Sequence, residues 1–224
     1  GRCTPEFEAG IFHDLEWLGI GWETPVRRQS EHFAEYRAAL ERLIAADLVY
    51  PAFMSRGEIR AHIAATADQG ASWPRDPDGA PHYPPFDRRL SWRKRRERMD
   101  AGDPFAWRLD MDTAVGSAGG GLTWLEFADR SLAVAEPVAA DPAEWGDVIL
   151  GRREIPTSYH LSVVLDDALQ GVTHVVRGRD LHLATAVHRL LQRLLGLPEP
   201  AYFHHRLILG DDGQKLSKRH GAVN

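Results

Sequence analysis

The second half of the chain alternates short apolar runs with one amphipathic helix, and this alternation restricts the fold more than any other feature. The runs DVIL, SVVL and THVVRG are short and β-branched, as is typical of strands buried in a parallel sheet. Residues 181–195 place leucines along one helical face, and the following stretch YFHHRLIL predicts another strand. This order predicts a doubly wound α/β fold, in which ligands bind at the carboxyl ends of strands.

Residues 50–146 depart from this pattern because their predicted elements are short and separated by turns. Within them, residues 66–90 are rich in Pro, Gly and Asp, so this stretch cannot be a helix or strand over its whole length. Two capped helices are predicted earlier in the chain, beginning at Thr4 and at Ser30. We therefore predict a Rossmann-like core formed by residues 1–49 and 147–224, with a loop-rich α+β insertion at residues 50–146.

Composition narrows the class of protein. The net charge of −5 gives no overall basic field, and the single cysteine excludes an internal disulfide framework and fits a reducing compartment. No apolar run reaches the ~18–20 residues of a membrane span, so we predict a cytoplasmic protein without a membrane partner. The one basic patch is the run Arg88–Met99, with seven Arg or Lys residues among twelve. It indicates either contact with nucleic acid or a solvated helix face.

Polar side chains follow the predicted strand THVV at its carboxyl end, and another stands at the start of an apolar segment. Arg177, Gly178 and Asp180 come after THVV, where a guanidinium suits a carboxylate or phosphate and an acid suits ribose hydroxyls. The alternative is an ordinary surface loop with an N-cap aspartate. Tyr159 begins an apolar strand or helix, where its hydroxyl would either orient a polar ligand or be satisfied by backbone.

A second candidate is the glycine-flanked loop GDDGQKLSKRHG. Its two lysines, Lys215 and Lys218, can reach polyphosphate oxygens, and a loop can close on a bound ligand. A solvated turn is the alternative. We predict no metal site built by the protein alone, because HExxH and CxxC spacings are absent and His204 and His205 face opposite sides of a strand.

Taken together, these segments resemble a known family. KLSKR is similar to the KMSKS signature of class I aminoacyl-tRNA synthetases. The stretches PTSYHLSVVLDDALQGVTHVVRGRDL, YFHHRLILGDDGQKLSKRHGA and TPEFEAGIFHDLEWLGIGWE resemble the glutamyl-tRNA synthetase branch, in order and over nearly the whole chain. The resemblance implies a class I catalytic core that activates L-glutamate with ATP and Mg²⁺.

The resemblance also implies roles for individual residues. Tyr159 and Arg177 would hold glutamate, and Lys215 and Lys218 would be the catalytic groups that stabilise charge on the phosphates. The full set expected to contact ATP is Gly178, Asp180, His204, Leu207, Lys215, Ser217 and Lys218. No covalent enzyme intermediate is implied, since the glutamate carboxylate attacks the α-phosphate directly.

Within that branch the chain is most similar to shortened paralogues that attach glutamate to queuosine at the wobble position of tRNA(Asp). Val163, Leu181 and the linker WPRDPDGAPHYPP favour this interpretation. The alternatives are the catalytic core of a synthetase that charges tRNA(Glu) and a non-catalytic tRNA-binding paralogue. We expect a monomer.

The chain departs from the family pattern in two places, and each departure leads to a prediction. Many members bind zinc through a Cys-x-Cys pair, a Tyr and a later Cys, whereas this chain has Ala52, Met54, Tyr83 and Asp87 at the matching positions. We therefore predict a zinc-free insertion. The HIGH signature is not found in residues 1–224, so we expect this stretch alone to show little activation of glutamate.

Overall fold

The computed structural model describes residues 4–210 together with Gly213 and Lys215, and it contains two compact units, residues 1–32 and 33–224. The α-helices are α1 Pro5–Trp17, α2 Phe33–Ala45, α3 Arg56–Asp68, α4 Trp92–Asp100, α5 Met111–Ala118, α6 Tyr159–Leu169 and α7 Thr185–Leu195. The strands are β1 Val49–Ala52, β2 Ala106–Leu109, β3 Thr123–Phe127, β4 Ala135–Ala139, β5 Ile149–Arg152, β6 His174–Gly178 and β7 Ala201–His205. Short 3₁₀ turns occupy Gln29–Glu31, Pro142–Trp145 and Arg179–Leu181.

The first unit is built around α1. The Thr4 hydroxyl accepts a hydrogen bond from the Phe7 amide at 3.5 Å, so the predicted helix start is confirmed. Phe12 stacks on Trp22 with their ring centroids 5.2 Å apart, and Arg28 pairs with Glu8 at 2.7 Å. These contacts connect the helix to the segment that follows it.

The second unit contains two sheets. One is antiparallel, with the strand order β1-β2-β5. The other has the order β4-β3-β7-β6, and in it β7 runs parallel to both β3 and β6. This mixed arrangement of sheets and helices confirms the predicted α/β class.

Helix α7 lies at the centre of this unit. Every residue from Thr185 to Gln192 is buried, including the polar side chains of His188 and Arg189. Its leucines pack in one large core with apolar residues of α2, α5 and α6, and Ala186 packs with Trp124 and Tyr202 of the four-stranded sheet. The helix therefore joins the sheet to the other helices.

Two of the predicted strands have a different structure. SVVL lies within α6, where Leu161 and Val164, three residues apart on one helical face, are both buried. DVIL contributes to β5, but that strand belongs to the antiparallel sheet. A four-residue apolar run fits a buried strand and a buried helix equally well, so its neighbours decide which forms.

The predicted division at residue 146 remains a prediction, and the structure adds one fact to it. Strands β3 and β4 come from the range 50–146, yet β3 pairs with β7 in register Glu126 to Tyr202. Glu126 is thereby brought to the sheet that carries Arg177.

A buried hydrogen bond connects α2 to α6 and supplies a stability prediction. The hydroxyl of Tyr36, which is fully buried, lies 2.8 and 2.9 Å from the two carboxylate oxygens of Asp166. Tyr36→Phe should lower the free energy of unfolding by about 1–3 kcal/mol, because a buried charged acceptor loses a donor. Urea unfolding followed by circular dichroism measures this change.

Tyr202→Phe is the matched control. The Tyr202 hydroxyl accepts from the neutral Gln192 amide at 3.1 Å, so its removal leaves an uncharged group without a partner and should cost less than Tyr36→Phe. Equal losses in the two variants would contradict the role given to the Tyr36–Asp166 pair.

Candidate active site

The site is built where β6 and β7 end side by side. In their parallel register Arg177 is opposite His204 and Gly178 is opposite His205. The strand alternation buries His204 and exposes His205, so the prediction that these two histidines face opposite sides is confirmed. The carboxyl ends of these strands therefore carry the polar groups that the sequence singled out.

Arg177 donates hydrogen bonds from all three of its nitrogens. Nε donates to His204 Nε2 at 3.0 Å. Nη1 lies 3.1 Å from His188 Nδ1 and 3.5 Å from the Tyr159 hydroxyl. Nη2 donates to the Leu181 carbonyl at 3.2 Å and to Thr185 Oγ1 at 2.7 Å. Among the described residues every one of these acceptors is uncharged.

Each histidine beside Arg177 is fixed in one tautomer by a second partner. His204 Nε2 accepts from Arg177, so its proton is on Nδ1, which lies 2.9 Å from Glu126 Oε2. His188 Nδ1 accepts from Arg177, so its proton is on Nε2, 3.1 Å from His160 Nδ1. A guanidinium is always a donor, and this settles both assignments.

Burial keeps the histidines uncharged. Desolvation and the nearby Arg177 charge hold the pKa of His188 well below its usual range. The same two causes lower the pKa of His160 to about 4. Desolvation also lowers the pKa of His204, although Glu126 acts in the opposite direction. The rings can therefore act as hydrogen-bond acceptors at neutral pH.

Tyr159 stands at the open side of this cluster. It is the first residue of α6, it is 47% exposed, and its ring packs edge-on against His188 with a centroid distance of 5.6 Å. Its contact with Arg177 is the longest that the guanidinium makes. Tyr159 and Arg177 therefore lie side by side, and their expected role in holding glutamate remains a prediction.

A second cluster forms next to Arg177 around the predicted ATP residues. Asp180 forms an ion pair with Lys215, which lowers the pKa of the Asp180 carboxyl group. A Cβ added to Gly178 would overlap the Asp180 carboxylate and would lie 3.2 Å from Leu207 Cδ2. Four of the predicted ATP residues are thus close in space. Ser217 and Lys218 lie outside the described residues.

His204 differs from the other predicted ATP residues. Its side chain is only 1% exposed, and both ring nitrogens are already used by Glu126 and Arg177. A direct contact between its ring and a nucleotide would break these bonds. In the structure, His204 instead supports Arg177 by accepting a hydrogen bond from its Nε.

Sequence reasoning missed several residues that support Arg177. Thr185 and His188 come from α7, and Glu126 comes from β3. A signal for the first two existed, since polar residues interrupt a helix that is otherwise strongly apolar. Glu126 gave no signal, because its neighbours indicated only a strand in a loop-rich region.

Glu126, His182 and His204 are the three potential metal ligands that cluster within the described part of the chain, with ligand atoms within 4.8 Å of one another. A metal at this position would have to displace the bond between His204 Nδ1 and Glu126. That bond fixes the tautomer on which Arg177 depends.

The positions that match the family zinc site also meet in space, but hydrogen bonds occupy them. The Tyr83 hydroxyl accepts from the Met54 amide at 2.9 Å and donates to Asp87. Asp87 Oδ2 also accepts from the Phe53 amide at 2.7 Å. Ala52 offers no ligand atom, so this set of donors does not fit zinc.

The basic run is only partly a surface patch. Arg95 donates to the Arg88 carbonyl at 2.6 Å, and Arg98 pairs with Asp103 at 2.7 Å. Arg98 also lies 4.1 Å from the Phe53 ring centroid. These two arginines stabilise the fold, which leaves fewer cations for a nucleic acid than the sequence pattern indicated.

A pocket of about 250 Å³ is lined by residues that include Trp73, His82, Arg88, Asp112 and Gly146, and Arg177 is not among its lining residues. Arg88 donates to Asp112 at 2.8 Å, so these opposite charges already compensate each other. The pocket therefore has less uncompensated charge with which to bind a charged ligand than the surroundings of Arg177 have.

Comparisons with known proteins identify the family of the chain. The family of class I tRNA synthetases (E and Q), catalytic domain, matches residues 1–224. The chain belongs to this family. Its members are aminoacyl-tRNA synthetase-like ligases, and the class I catalytic fold expected from the sequence is confirmed.

Two curated members illustrate the range of similarity. The chain is 47% identical over 228 residues to a glutamyl-Q tRNA(Asp) synthetase of Rhodobacter capsulatus, covering 99% of this chain and 76% of that protein. It is 36% identical over 241 residues to glutamate–tRNA ligase 2 of Acidiphilium cryptum, covering 100% of this chain and 46% of that protein.

A solved member of the family has the same fold. A glutamate tRNA ligase of Elizabethkingia meningosepticum, crystallised with its amino acid, superimposes with a TM-score of 0.69 at 25% identity. The match covers 98% of this chain and 43% of that one. Within the described residues, no helix is long and apolar enough to cross a membrane.

The low pKa of His160 predicts a specific pH dependence. Its pKa is about 4 in the folded protein and near 6.5 when unfolded, so below pH 6.5 only the unfolded state takes up this proton. Between pH 7 and pH 5 wild type should lose about 2 kcal/mol through this group, whereas His160→Asn should not. Urea unfolding at several pH values measures the difference.

Asp167 changes the stability in the opposite direction with pH. Because it is present in both wild type and His160→Asn, its contribution cancels from the difference between them. Burial raises its pKa to about 6, so its contribution is lost as the pH rises through that value. A constant difference between wild type and His160→Asn from pH 7 to pH 5 would contradict the neutral histidine.

Proposed function

We propose that the protein activates L-glutamate with ATP and transfers it to queuosine in tRNA(Asp). The observation that carries the proposal is Arg177, a part-buried cation whose hydrogen-bond partners among the described residues are all neutral. Such a charge favours an anionic ligand. The Rhodobacter capsulatus relative, at 47% identity, carries the name of this activity.

In this proposal Arg177 holds a glutamate carboxylate and Tyr159 orients it at the open side of the cluster. The α-carboxylate oxygen of glutamate attacks the α-phosphorus of ATP, the bond to the β-phosphate oxygen breaks, and pyrophosphate leaves with that electron pair. A hydroxyl oxygen of queuosine then attacks the carbonyl carbon of the glutamyl-adenylate, its proton passes to solvent, and AMP leaves with the electron pair of the broken anhydride bond. Positioning and electrostatics supply the rate, since no side chain forms a bond to the substrate.

Four of the proposed ATP residues that the structure describes, Gly178, Asp180, Leu207 and Lys215, lie close together at the end of β6. Gly178 has no side chain, which lets Asp180 and Leu207 pack against the strand end. Asp180 accepts from the ribose hydroxyls once Lys215 turns towards the phosphates. Lys218 and Ser217 act in the same loop, and Mg²⁺ enters with ATP. The ion pair between Lys215 and Asp180 supports this order, because a flexible lysine can exchange one oxygen anion for another.

A second candidate is the charging of tRNA(Glu), because the Acidiphilium cryptum relative is a glutamate–tRNA ligase. The higher identity to the glutamyl-Q enzyme favours tRNA(Asp). A cytoplasmic location and a monomeric state complete the proposal, and the single cysteine supports the former.

The deciding measurement offers the complete natural protein ATP and labelled glutamate with queuosine-containing tRNA(Asp), the same tRNA lacking queuosine, or tRNA(Glu). We expect transfer to the first substrate alone. Transfer to tRNA(Glu) would replace the proposal with the second candidate. Absence of glutamyl-adenylate in every reaction would leave a non-catalytic tRNA-binding protein.

We also propose that the insertion holds no zinc, because the Tyr83–Asp87 hydrogen bonds take the place of metal ligands. Asp87→Ala leaves the Phe53 backbone amide and the Tyr83 hydroxyl without their acceptor, so the free energy of unfolding should fall by about 1–3 kcal/mol. Asp103→Ala removes only a part-exposed ion pair and should cost about 0–1 kcal/mol.

Two measurements check the zinc proposal. Elemental analysis of purified wild type should find zinc well below one equivalent, and chelator should leave its melting temperature unchanged. One equivalent of zinc, with a melting temperature that drops on chelation, would refute it.

A further inference from the structure

The groups that accept hydrogen bonds from Arg177 are of an unusual kind for a part-buried arginine. The ion pairs of the described residues include none with Arg177, and Asp167 acts on it electrostatically without forming one. Its side-chain acceptors are two imidazole nitrogens and two hydroxyl oxygens. Buried arginines are more usually paired with carboxylates, since an uncompensated charge is costly to bury.

We propose that His188 and His204 are positioning residues that hold Arg177 without neutralising its charge, and that this makes the site select a carboxylate over a carboxamide side chain. The inference rests on the proposed function, because it assigns Arg177 to the glutamate substrate. It adds a reason why the surrounding groups are imidazoles rather than acids.

The geometry requires both rings to be neutral and correctly oriented. A doubly protonated imidazole has no free lone pair, so it could not accept from Arg177 and would repel it. Glu126 accepts the Nδ1 proton of His204, and His160 accepts the Nε2 proton of His188. Each outer partner thereby leaves the inner nitrogen, which faces Arg177, free to accept.

Glu126 also explains how an acid can assist without cancelling the charge. Its carboxylate contacts His204 Nδ1 and the His204 backbone amide at 3.0 Å, and it is separated from the guanidinium by the ring. The His204 ring therefore lies between the negative charge of Glu126 and the Arg177 guanidinium. Thr185 completes the support from α7, where it accepts from Nη2 at 2.7 Å.

The sharpest test compares two isosteric substitutions at residue 188. In His188→Asn, an amide oxygen replaces the Nδ1 acceptor without charge, whereas His188→Asp puts a carboxylate in the same place. His188→Leu removes the acceptor altogether. Each variant of the complete natural protein is assayed for ATP–pyrophosphate exchange with L-glutamate and with L-glutamine, and KM is also measured for ATP.

We expect His188→Asn to keep the preference for glutamate. His188→Asp should lower that preference about 10-fold or more, because a new Asp–Arg pair neutralises the charge that selects the substrate carboxylate. His188→Leu should raise the KM for glutamate about 10-fold to 100-fold through misplacement of Arg177, with little change in the KM for ATP. Arg177→Gln serves as the reference for complete loss of the charge.

Equal behaviour of the Asn and Asp variants towards glutamate and glutamine would overturn the proposal, because a purely structural role responds to shape and not to charge. Wild type that activates no glutamate would instead overturn the proposed function. Circular dichroism establishes whether each variant is folded before its kinetics are interpreted.

A spectroscopic measurement on wild type tests the same inference without substitutions. Imidazole ¹⁵N shifts at pH 7 should show His188 protonated only on Nε2 and His204 protonated only on Nδ1. A doubly protonated ring at either position, or the opposite tautomer, would overturn the proposal even if every variant failed to fold.

Discussion

Helix α7 is buried along two turns, and this constraint determines much of what surrounds it. A buried helix with polar side chains is stable only if each polar group finds a partner. Arg189 donates to the Thr123 carbonyl at 2.8 Å and to Gln192 at 2.7 Å, and Gln192 in turn donates to Tyr202. The helix is thereby fastened to β3 and β7, the strands that position the candidate site.

The same helix supports Arg177 through Thr185 and His188. The candidate site is thus part of the polar network that makes the buried helix possible, and its rigidity comes from that network. A guanidinium held by several neutral acceptors keeps both its position and its charge. Those are the two properties that recognition of a carboxylate requires.

Several features were predictable because their signals are local. The start of α1 follows from Thr4 and Pro5, and the opposite orientation of His204 and His205 follows from strand alternation. SVVL was predicted wrongly as a strand, because four apolar residues do not reveal their period. The pairing of β3 with β7 was not predictable either, since a parallel pair joins segments that are far apart in the chain.

The sequence by itself determined the α/β class, and it placed Arg177 and Asp180 after a predicted strand and Tyr159 at the start of an apolar segment, because composition and short-range spacing carry those signals. Only the tertiary structure decided what Arg177 contacts and in which protonation state. Its side-chain acceptors come from α6, α7 and β7, and Glu126 of β3 fixes one of them. Hydrogen bonds of this kind depend on packing between distant segments, and burial sets the charge of each ring.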